Sequence, residues 1–143
     1  MKAREILEVK GTRVITIHKD NLMTDVMALF FSNKIGSVIV VDQHDRILGI
    51  VAPNDVLRAV YENIENVPGL KVADIMTKEV IVATPDDDID YLLAIMTENR
   101  IRHIPILEKG HLVGLVSIGD VVKAQTHLQN VENRYLKDYI DGK

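Results

Sequence analysis

Apolar and polar positions along this chain of 143 residues fall in short blocks whose spacing switches between the strand period of two and the helical period near 3.6. Val14 to Ile17 reads as a short strand. Val26, Met27, Leu29 and Phe30 recur at helical spacing behind Lys19-Asp20-Asn21, which offers N-cap chemistry, and predict a helix ending near Asn33. Val38 to Asp42 and Arg46 to Ala52 are rich in β-branched residues and flank a Gln-His-Asp turn, so they pair as a hairpin. Pro53 suits the first turn of a helix running to about Ile64. Glu65 to Leu70, with Pro68-Gly69, reads as a linker. The order then returns: a strand over Val80 to Ala83, a helix over Asp87 to Glu98, and a hairpin of Ile104 to Glu108 with His111 to Val116 about Lys109-Gly110. A last helix follows.

The recurrence is also one of residues. A shift of 66 places sets Val14, Ile15, Asp20, Ala28, Asn33 and Ile35 on Val80, Ile81, Asp86, Ala94, Asn99 and Ile101. Beyond the loop at Gln43 to Asp45 the shift becomes 65, setting Gly49, Val51, Asp55, Val56 and Ala59 on Gly114, Val116, Asp120, Val121 and Ala124. One residue has been lost in a hairpin loop, where a deletion costs least. The expected fold is therefore α/β (α+β): two β-α-β-β-α repeats, residues 1–66 and 67–126. An extended C-terminal helix over 127–143 completes it. Each repeat has too few helices to cover both faces of its strands, so the sheets are expected to pack together, with neither half stable alone.

Both repeats end in the same strand-to-helix corner, Gly49-Ile50-Val51-Ala52-Pro53-Asn54-Asp55 and Gly114-Leu115-Val116-Ser117-Ile118-Gly119-Asp120. Ser117 with Asp120 three residues on is a capping-box pattern, worth about 1 kcal/mol and no function. The same geometry also presents free N–H groups and the positive end of a helix dipole, which attract phosphate. The two readings are compatible, and on this motif alone the cap comes first.

Composition narrows the chemistry. The chain has no cysteine, hence no disulfide, thiolate metal site or cysteine nucleophile, which fits a reducing compartment. A net charge of −4, with 17 Lys and Arg against 21 Asp and Glu, leaves no basic footprint, and two Phe and four Tyr give bases little to stack on; nucleic acid is not an expected ligand. Apolar runs fall far short of the roughly 20 residues that span a bilayer, and the first residues form no signal peptide, so a cytoplasmic protein with no membrane partner is expected.

Asp74-Ile75-Met76-Thr77, Arg102-His103-Ile104-Pro105-Ile106, the two Gly-x-x-x-x-x-Asp corners and the repeat spacing together resemble the pair of cystathionine-β-synthase (CBS) domains, or Bateman module. The resemblance covers nearly the whole chain. In length, and in the ending Ser117 to Ala124, it is similar to the small stand-alone bacterial CBS-pair proteins. The resemblance implies two pseudo-two-fold clefts that bind adenosine compounds such as AMP, ADP, ATP, NAD(H) or S-adenosylmethionine. It implies sensing rather than catalysis. The corner aspartates would accept the ribose hydroxyls. Asp120 and Ser117 would share a cleft with Gly11, Thr12, Val14, Ile35, Gly36, Ser37 and Val38. Asp55 would face Thr77, Val80, Ile101, Arg102, His103 and Ile104, with Arg102 and His103 reaching the phosphate or forming only a solvated turn. The first corner departs from the family in carrying Ala52 and Asn54, where relatives place a hydroxyl and often Arg, and so lacks two phosphate donors. That departure keeps open a second function, a ligand-independent dimerisation or protein-interaction module.

Other chemistry fails on spacing. Asp86-Asp87-Asp88 and Asp90 stand at a helix start, where acids offset the dipole, and lack the pattern of a calcium loop. The five histidines form no His-x-x-x-His pair, and no Ser lies in a Gly-x-Ser-x-Gly elbow, so no enzyme and no metal site is expected. Val121, Ala124, Leu128, Val131 and Tyr135 mark an apolar stripe on the tail helix, with Leu136, Tyr139 and Ile140 widening it. Such a stripe needs a surface: the chain's own domains or, as expected here, a second subunit in a homodimer, with an unknown regulated protein as further partner.

Overall fold

The computed structural model describes residues 1–126; the expected helical extension over 127–143 lies outside them. The chain opens with a helix that the hydrophobic pattern left unassigned, α1 (Ala3–Lys10). It continues as β1 (Thr16–His18), α2 (Met23–Asn33), β2 (Val38–Val41), β3 (Ile47–Val51) and α3 (Pro53–Glu62). A 3-10 turn (Val67–Gly69) leads to the short α4 (Val72–Ile75), also unforeseen, then α5 (Ile89–Asn99), β4 (His103–Glu108) and β5 (His111–Ser117). A helix opening straight from β5, α6, is described over 118–126.

In the first sheet β1 runs parallel to β2, Thr16 opposite Ile39, and β2 antiparallel to β3, Val38 opposite Val51. The second sheet pairs β4 with β5, His103 opposite Ser117. The strand expected over 80–83 is not formed. It shrinks to one bridge, in which Ala83 N–H donates to the Pro105 carbonyl at 3.0 Å and Leu107 N–H donates to the Ala83 carbonyl at 2.8 Å. The next rung of a parallel ladder would need an N–H from residue 105, and proline has none. The other expected elements are present with ends that coincide or are displaced by one or two residues, as frayed ends usually are; β1 begins two residues further on than Val14.

The leading helices exchange partners. α1 packs on the second repeat: Ala3, Ile6 and Leu7 join a buried core with Leu92, Met96, Ile104, Ile106 and Val116. α4 packs on the first, where Val72 joins Ile17, Val26, Val38, Val40 and Val51, with Ile75 and Met76 alongside. Two glycines make the exchange possible. A Cβ at Gly114 would lie 2.5 Å from Leu7 Cδ2, and one at Gly49 would lie 2.7 Å from Met76 Sδ and 2.8 Å from the Thr77 carbonyl. Backbone pairing fastens the seams: Ala3 N–H donates to the Asp87 carbonyl at 2.9 Å, and Thr77 and Ile50 exchange both backbone bonds. Lys2–Asp88 (3.0 Å) and Arg4–Asp86 (3.2 Å) add exposed ion pairs along α1, each of little worth by itself.

Candidate functional site

A helix leaves its first N–H groups without intrahelical partners. In α1, α2, α3, α4 and α6 the third residue is an acid that reaches back to the N–H just before the helix. These bonds are Glu5 to Lys2 (2.6 Å), Asp25 to Leu22 (2.9 Å), Asp55 to Ala52 (2.8 Å), Asp74 to Lys71 (2.9 Å) and Asp120 to Ser117 (2.8 Å). The cap chemistry expected from Lys19-Asp20-Asn21 is thus supplied from the other side, by Asp25. Only Ser117 returns the bond, its Oγ accepting Asp120 N–H at 3.0 Å, which closes the reciprocal box. Ala52 has no oxygen to return, so the first corner keeps half of it.

Capping therefore accounts for one oxygen of each corner aspartate. The rest of their surroundings sets them apart. Thr77, just past α4, donates its hydroxyl to Asp55 Oδ1 at 3.0 Å. Lys10, the last residue of α1, donates to Asp120 Oδ2 at 2.6 Å and to the Leu115 carbonyl at 2.8 Å. In both cases the partner comes from the exchanged segment of the other repeat. Among the described residues Glu5, Asp25 and Asp74 have no such partner, and all three are exposed. Burial alone would raise the Asp120 carboxyl, but the Lys10 hydrogen bond, the Ser117 N–H and the Lys10 charge outweigh it and hold the group below the ordinary carboxylate range.

The expected residues fall into place unevenly. Thr77 meets Asp55. Gly11 follows Lys10 with φ 97° and donates its N–H to the Leu7 carbonyl, so it ends α1 beside the Asp120 corner. Thr12 is exposed and Val14, Ile35, Val80 and Ile101 are half-buried. Val38 and Ile104 are fully buried strand residues, which leaves only backbone to offer a ligand. Ser37 is buried, and its hydroxyl has no partner among the described residues.

His103 is not where the expected grouping put it. A Cβ on Gly36 would lie 2.8 Å from its ring, it pairs across the hairpin with Ser117, and it feels the charges of Lys10, Arg102 and Asp120. It belongs beside the Asp120 corner. Burial first, then Lys10 and Arg102, lower its pKa against the opposing pull of Asp120. The Arg102 side chain is exposed, while its carbonyl accepts the Ile118 N–H at 2.8 Å. Lys10 escaped the sequence reading, although a cation directly before Gly11 marks a helix C-terminus. The acids at 86–90 do not converge: Asp86 holds Arg4, Asp87 caps Thr84 N–H, Asp88 holds Lys2 and Asp90 accepts from Gln125. Among the described residues no helix is long and apolar enough to cross a membrane.

Known proteins share this fold. The mitochondrial CBS domain-containing protein CBSX3 of Arabidopsis thaliana is 35% identical over 127 residues, covering 86% of this chain, which spans 62% of that relative's length. The crystal structure of a CBS-domain-containing protein from Agrobacterium tumefaciens superposes with a TM-score of 0.84 at 35% identity, over 87% of this chain and 92% of that one. The CBS domain pair of protein MJ0100, solved with 5′-methylthioadenosine and S-adenosyl-L-methionine, gives 0.79 at 23% identity over 89% and 97%, a likeness of fold. The CBS domain profile itself matches residues 4–62 and 72–127, one copy for each half, so the chain belongs to the CBS-domain family and carries the domain as a tandem pair.

Proposed function

We propose that the protein is a non-catalytic sensor that binds adenosine-containing ligands of the AMP, ATP or NAD(H) type in two clefts, at Asp55 and at Asp120. The observation that carries this reading is the pair of contacts made across the repeats, Thr77 on Asp55 and Lys10 on Asp120. A capping acid needs only its own helix; a half-buried carboxylate at the seam between repeats can also accept the two O–H donors of a ribose. Asp120 Oδ1 carries no hydrogen bond among the described residues and is open to that role. A ligand held on one repeat and touching the other binds one relative arrangement better than another, which is what a sensor requires.

The ligand-independent interaction reading has its own support in α3, which exposes Leu57 and Tyr61, with Ile64 just beyond it. A homodimer, a regulated partner protein and a cytoplasmic location complete the proposal. The test is calorimetric titration with AMP, ATP and NADH on the unaltered chain, on Asp120→Ala and on Asp55→Ala. Loss of a charge-assisted hydrogen-bond pair is expected to weaken binding about 10- to 150-fold in Asp120→Ala. Asp55→Ala loses less, because its corner already lacks the hydroxyl at residue 52. Failure of all three ligands to bind, with a dimer in light scattering, would favour the interaction module instead.

A further inference from the structure

We propose that Lys10 makes the Asp120 cleft selective for adenosine ligands that carry phosphate, over neutral or cationic ones. The inference rests on the adenosine reading of that cleft. Lys10 holds Asp120 Oδ2, the oxygen already engaged by Ser117 N–H, and the Leu115 carbonyl. Its side chain is 35% exposed and that of Asp120 22%. A diol that takes both carboxylate oxygens therefore competes with the ammonium for Oδ2. An ammonium pushed off the carboxylate keeps the Leu115 carbonyl and part of its hydration but loses the opposite charge that offset its partial burial.

What the ligand brings then decides the outcome. Adenosine offers the displaced cation nothing. A sulfonium compound such as S-adenosylmethionine adds another positive charge. A phosphate supplies a new anionic partner, and the exchange comes near to even. The surroundings fit this division of labour. Leu7 against Gly114 anchors α1, and Gly11 ends it, so the backbone at Lys10 is held while the four-carbon side chain is free to turn.

The other cleft provides an internal contrast. Its carboxylate is met by the Thr77 hydroxyl, a neutral group that turns aside without stranding a charge. Charge selection is thus a property of one cleft of the pair.

The experiment uses the full chain with Asp55→Ala, so that the Asp120 cleft is read alone, titrated with AMP, adenosine and S-adenosylmethionine. AMP is expected to bind about tenfold tighter than adenosine, the scale of one charge-assisted hydrogen bond, with S-adenosylmethionine weakest. The gap should narrow as salt rises. Lys10→Met is expected to weaken AMP and to tighten adenosine, closing the gap, whereas Lys10→Arg preserves it. A Lys10→Met chain that loses AMP and adenosine by the same factor, or changes neither, would overturn the proposal. Absence of binding by all three compounds to the chain with Lys10 intact would overturn the adenosine reading, and this one with it.

Discussion

The exchange of leading helices depends on two missing side chains, and restoring a methyl at each should cost unequal amounts. In Gly114→Ala the new Cβ would lie 2.5 Å from Leu7 Cδ2 and 2.8 Å from Cδ1. Carbon atoms prefer 3.5–4.0 Å, so the overlap is about 1 Å. Leu7 can turn away, at the cost of a poorer rotamer and a looser core, about 1–2 kcal/mol. In Gly49→Ala the Cβ meets Met76 Sδ at 2.7 Å and the Thr77 carbonyl at 2.8 Å. A methionine adapts; the carbonyl does not, because it accepts Ile50 N–H at 3.0 Å. Moving it adds about 1 kcal/mol for a lost backbone bond, giving about 2–3 kcal/mol in all. For a chain of this size 1 kcal/mol corresponds to about 4 °C in Tm. Gly114→Ala should therefore melt about 4–8 °C below the parent and Gly49→Ala about 8–12 °C below, measured by differential scanning calorimetry with urea titrations beside it. Leu7→Ala added to Gly114→Ala should cost less than the sum of the two single changes, since one makes the room the other needs. Equal melting of Gly49→Ala and the parent, or a larger loss at Gly114, would refute the argument.

Further outcomes follow from the same geometry. Ser117→Ala should lose about 1 kcal/mol in urea unfolding, and Ala52→Ser should gain a similar amount by completing the half-formed box; an Ala52→Ser chain no more stable than the parent would count against it. Residues 1–66 expressed alone lack Val72, Ile75 and Met76 from their core, so no cooperative unfolding is expected by circular dichroism, and a sharp transition would contradict the exchange. Because the folded state lowers the His103 pKa, protonation favours the unfolded chain: stability is full above the ordinary value of 6.5 and falls as pH drops through it towards the lowered native value. His103→Gln should flatten that part of the profile, and parallel profiles for the two chains would exclude the assignment.

The repeat, the hairpins and the corner aspartates were legible because they rest on local pattern: β-branched runs, a Pro at a helix start, residues matching at a fixed shift. α1 and α4 were not. Eight and four residues carry too few apolar positions to show a period, and Ala3, Ile6, Leu7 and Val72 are buried by partners remote in sequence. The failed strand at 80–83 turned on Pro105, visible in the sequence but meaningful only once the register of the ladder is known. The same holds for the site. Asp55 and Asp120 could be named from their motif, whereas Lys10 could not, because its contact spans 110 positions of chain. His103 was named but misplaced, since the side on which a pre-strand residue falls depends on how the two sheets meet.

The docking of α1 has a consequence for synthesis. Its partners on β5 and at Asp120 emerge from the ribosome about a hundred residues after it does. At 5–20 residues per second that is a delay of roughly 5–20 s, many orders longer than a helix takes to form or melt. The first core can close once α4 has appeared, but the apolar face of α1 must wait for α5 and β4 and is not fully covered until β5 is made. Until then an amphipathic helix trails from a half-folded protein, open to chaperones or to β5 of a neighbouring chain.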